Sequence, residues 1–68
     1  MDDETFNLSL RKFLKTVGVG SQREIEQAVA AALQAGGVTG TETLPATMTL
    51  EIPALKLRVN FEGAIRLQ

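Results

Sequence analysis

The sequence predicts an α+β domain of order ααββ, a two-helix unit packed on a two-stranded antiparallel β-hairpin. Three observations predict it. Apolar residues recur at helical spacing through residues 6–33, a glycine-rich break interrupts them near Gly18, and the apolar period changes to two after residue 43. With 68 residues there is room for one domain, residues 1–68.

The first helix rests on Phe6, Leu10, Phe13, Leu14 and Val17, an i, i+4, i+7, i+8, i+11 series that forms one stripe. Asp2, Asp3 and Glu4 stand where a helix N-terminus favours negative charge, with Asp3 as candidate N-cap, and Gly18 supplies the stop. Leu8 falls outside the stripe, among Arg11, Lys12 and Lys15.

The second helix is expected to start at Ser21, where Ser21 and Glu24 spell an S-x-x-E capping box ahead of Ile25, Val29 and Leu33. Ala28 and Ala32 fill the same face, Val19 tucks in ahead of the cap, and Gly36 and Gly37 end the helix. Residues 36–43 carry turn formers and little apolar content, which makes them a loop.

Two strands follow. Leu44, Met48, Leu50 and Ile52 share even parity, while Leu57, Val59, Phe61, Ile65 and Leu67 share odd parity. A turn at residues 53–56 sets Ile52 against Leu57, Leu50 against Val59, Met48 against Phe61 and Leu44 against Ile65, so both apolar sets meet on one face. Glu51 then faces Arg58 on the other side. Gly63 keeps the parity and is read as a bend or bulge within one long strand.

The composition excludes much chemistry. The chain has no Cys and no His, which removes disulfides, thiolate nucleophiles, imidazole bases and His or Cys metal sites. No carboxylate pair, Ser with a base or activated lysine stands out, so no catalytic residue, cofactor or metal is assigned and the chain is not read as an enzyme. A Gly18-Val19-Gly20-Ser21 run invites a phosphate-loop reading, but no strand precedes it and no lysine precedes the Ser. The net charge of −1 gives no global field toward nucleic acid or an anionic membrane. No long apolar run and no basic leader is seen, which makes the cytoplasm the expected compartment.

Two surfaces attract notice. Leu8 ringed by Arg11, Lys12 and Lys15 suits docking of an acidic protein partner. The 22 strong apolar residues (Leu, Val, Ile, Met, Phe) build a thin core, and strand two contains no proline. A homodimer is therefore expected, with Leu57, Val59, Asn60 and Phe61 on the pairing edge. A helix, turn, helix, hairpin order also matches part of a winged-helix DNA-binding domain, the alternative reading. Helix two is poor in Arg, Lys and Asn on its outer face, so nucleic acid is disfavoured.

The F-N-x-S-x-R-K-F-L-K run of residues 6–15, joined to S-Q-R-E-I-E at residues 21–26 and the closing Gly63-Ala-Ile-Arg-Leu, resembles a family of short, mainly proteobacterial, single-domain proteins known only as a domain of unknown function. The resemblance covers nearly the whole chain and implies a bacterial cytoplasmic origin. It brings no activity, cofactor or catalytic residue. Where that family carries more charge, this chain has Ala30, Ala31 and Ala32. The function expected is a small protein-interaction or regulatory module.

Overall fold

Asp2 starts a helix that does not stop for 33 residues. In the computed structural model, which describes residues 1–68, α1 spans Asp3–Ala35. β1 (Thr43–Ile52), a 3-10 turn (Pro53–Leu55) and β2 (Leu57–Arg66) follow. The chain divides into two units, Met1–Gly37 and Val38–Gln68. The class is α+β as expected, but the order is αββ.

The N-cap lies one residue earlier than expected. Asp2 has an extended backbone, and the N–H groups of Glu4 and Thr5 donate to its Oδ1 at 3.0 and 3.1 Å. The Thr5 hydroxyl donates to Oδ2 at 3.0 Å. Three of the donors at this end are thus claimed by one carboxylate, leaving Asp3 free to be the first helical residue. The other terminus matches the sequence. Gly36 adopts φ 78°, and the N–H groups of Gly37 and Gly36 donate to Ala32 O at 2.8 Å and Leu33 O at 3.3 Å. This is a Schellman closure, which needs the left-handed conformation that glycine adopts without steric cost.

The two-helix unit is the main correction. Gly18 and Gly20 lie inside α1, and neither has a positive φ. Glycine ends a helix by turning left-handed, as Gly36 does. In helical geometry it costs only about 1 kcal/mol relative to Ala. The alanine-rich segment after Ser21 extends a helix already nucleated upstream, so no second nucleation is needed. Ser21 consequently caps nothing, the S-x-x-E pattern lies mid-helix, and Val19 is exposed rather than tucked in.

In the hairpin the expected register is realised. Ile52 pairs with Leu57, Leu50 with Val59, Met48 with Phe61, Leu44 with Ile65 and Glu51 with Arg58. The turn falls at residues 53–56, where Pro53 opens the 3-10 turn and Lys56 closes it at φ 52°, its N–H donating to Pro53 O at 3.0 Å. Gly63 pairs with Ala46 in an unbroken one-to-one ladder, so there is no bulge. Glycine's freedom is not used there. Both strands of a two-stranded sheet are edges, which is why Pro45 is tolerated within β1.

Candidate interaction surfaces

No residue in either unit is buried.

On α1, Leu8 is 61% exposed and Arg11, Lys12 and Lys15 are exposed with it. Their offsets of 3, 4 and 7 residues place all four on one helix face. Phe6, Leu10, Phe13 and Leu14 line another face at about half exposure, and Val17, Ser21, Ile25, Val29 and Ala32 continue it as half-buried residues. The sequence reading saw two stripes here. Only the uninterrupted backbone joins them into one.

The helix also carries a shallow depression beside Gly20, lined by Lys15, Thr16, Val19 and Arg23. Side chains of a single helix form its walls, so it is too open to enclose a ligand.

On the hairpin, Leu57 is half-buried, whereas Val59 and Phe61 are exposed on the apolar face with Met48 and Ile52. Asn60 belongs to the opposite face, where its Oδ1 accepts from the Thr49 hydroxyl at 2.9 Å. Thr49 and Asn60 are register partners. The same register contains this bond, although the parity argument did not draw it out. Arg58 Nε lies 3.9 Å from Glu51 Oε1, but both side chains are more than half exposed and the pair contributes little.

Two carboxyls are held below the ordinary carboxylate range. For Asp2 the main cause is the Thr5 N–H, followed by the Thr5 hydroxyl. For Glu42 it is the Thr39 N–H, with Gly40 adding to it. Thr39 N donates to Glu42 Oε2 at 2.8 Å, and the Gly40 and Thr41 N–H groups donate to Oε1 at 3.0 and 3.2 Å. In both places the carboxylate stabilises backbone: a helix start in one, the approach to β1 in the other. Sequence reading missed the Glu42 role; a lone acid closing a Gly-Thr segment was its only signal.

No group of three or more acidic, His or Cys side chains is placed to hold a metal ion. No helix is long and apolar enough to cross a membrane.

A family model matches residues 1–68, the whole chain. The chain belongs to the DUF6494 family, a family of unknown function. A family of unknown function spanning the whole chain is the part of the noted resemblance that this match shows. No curated protein and no solved structure matches the chain. Membership in DUF6494 assigns no activity, so function has to be argued from the surfaces above.

Proposed function

We propose that this DUF6494 protein is a protein-interaction module without catalytic activity of its own. One observation carries the reading: the apolar residues are gathered on a helix face and a hairpin face, yet none is buried. A lone helix draws its stability from packing of an amphipathic face, and a two-stranded hairpin is marginal in water. Both units therefore gain order from a partner that covers those faces. Two further surfaces are open to it, the Leu8, Arg11, Lys12 and Lys15 face and the outer edge of β2 at Leu57, Val59, Asn60 and Phe61. The winged-helix alternative loses its basis, since a continuous α1 has no corner from which to present a reading helix.

Hydrogen exchange on the chain at nanomolar concentration tests the proposal. Amides of α1 and of the strands should exchange with little protection when the chain is alone. Protection close to that of a stable globular domain, in a monomer, would overturn it.

A further inference from the structure

We propose that the partner of the α1 stripe is a second copy of this chain, with the two α1 helices antiparallel and crossing midway along the stripe, between Val17 and Ser21. This rests on the interaction reading above and names its partner.

The first argument is spacing. Along the continuous helix the stripe recurs at 11 residues: Phe6, Val17 and Ala28, then Leu10, Ser21 and Ala32, then Leu14 and Ile25. An 11-residue recurrence suits a right-handed pairing of long helices. The second argument is size. Two of the three series shrink toward the C-terminus, from Phe to Val to Ala and from Leu to Ser to Ala, while Leu14 and Ile25 match in size. Parallel copies would set Phe6 against Phe6 and Ala32 against Ala32, which no single interaxial spacing can fill.

Antiparallel copies remove that conflict. The arithmetic centre of Asp3–Ala35 is residue 19. A two-fold axis there sets Phe6 opposite Ala32 of the second copy, Leu10 opposite Ala28, Phe13 opposite Ile25 and Val17 opposite Ser21. Every one of these residues lies on the stripe, and large meets small at both ends.

Charge points the same way. The N-terminal half of α1 carries Arg11, Lys12 and Lys15, and the C-terminal half carries Glu24 and Glu26 against Arg23. The antiparallel arrangement sets Lys12 level with Glu26 of the second copy and Arg11 one residue away from it, leaving Lys15 level with Arg23 as one like-charge pair. A parallel arrangement would bring Arg11, Lys12 and Lys15 level with themselves. The area is also adequate. A 33-residue helix is about 50 Å long. Contact along that length, one helix diameter wide, covers on the order of 500 Å² in projection and more in accessible area, approaching the ~800 Å² per partner of a standard interface.

Mass and disulfide cross-linking of the full chain test this, the chain being free of Cys. Light scattering at micromolar concentration should give twice the 7.3 kDa of one chain. A Leu10→Cys/Ala28→Cys variant should oxidise to a covalent dimer, because residues 10 and 28 of one helix are roughly 27 Å apart and cannot bridge within a chain. Leu10→Cys alone and Ala28→Cys alone should stay uncross-linked, with wild-type helix content by circular dichroism. Cross-linking by either single variant would mean parallel pairing and overturn the proposal, as would a double variant that stays uncross-linked. A monomer with unprotected helix amides would also overturn self-pairing while leaving the interaction reading intact. A monomer with a protected stripe, covered from within its own chain, would overturn both.

Discussion

Replacing Gly18 and Gly20 by Ala separates one helix from two more sharply than any other change. In the structure both glycines are helical with no positive φ, and a Cβ at either meets nothing within 4 Å. Each substitution therefore brings no clash and recovers the helix propensity that glycine lacks, about 0.8–1.0 kcal/mol. Much of that gain comes from the unfolded chain, which has fewer conformations to lose. The two together should add about 1.5–2 kcal/mol. In a domain of this size each 1 kcal/mol moves Tm by roughly 4–8 °C, so the double variant should melt on the order of 10 °C higher. Thermal unfolding by circular dichroism at 222 nm, at one fixed protein concentration, measures it. If Gly18 instead ended a first helix in the left-handed conformation, alanine there would be strained. A fall in Tm for Gly18→Ala would refute the continuous helix.

Other outcomes follow from the same structure. Gly36→Ala should destabilise the chain by about 1–2 kcal/mol, since φ 78° is a left-handed conformation that a Cβ opposes; denaturant unfolding measures the loss. Ser21→Ala should be neutral or stabilising by up to about 0.5 kcal/mol, because Ser21 lies within α1; a loss near 1 kcal/mol would restore it as a cap. The folded-state pKa values of Asp2 and Glu42 are depressed, so their contribution to stability is fully present above the unfolded values near 4 and is lost as pH falls through the folded ones. An Asp2→Asn/Glu42→Gln variant should therefore lose less stability than wild type on acidification below about pH 4, and equal acid sensitivity would contradict the cap geometry.

The sequence by itself determined the hairpin and the C-terminal end of the helical segment, and it placed the N-terminal cap within one residue. Parity is a strict signal: a slip of one residue would turn Leu50, Val59, Met48 and Phe61 to the wrong face together, so the pattern admits one register once Pro53 marks the turn. Gly36 followed by Gly37, after a run of alanines, was equally legible as a helix stop. The Leu8, Arg11, Lys12 and Lys15 grouping was readable too, because helical offsets alone place those four residues on one face.

What lay between needed the three-dimensional structure. Whether a glycine stops a helix depends on its φ, and the letters at Gly18, Gly20 and Gly36 do not distinguish left-handed from helical backbone. Only Gly36 takes the positive value. An S-x-x-E pattern is likewise a cap only where the preceding backbone is extended, and at Ser21 it is helical. The continuous stripe of α1 follows from that backbone choice, since two short helices would have presented Phe6 and Ala32 on independent bodies. Local pattern thus determined which residues lie on apolar faces. Only the folded backbone decided that the helical ones share a single rod.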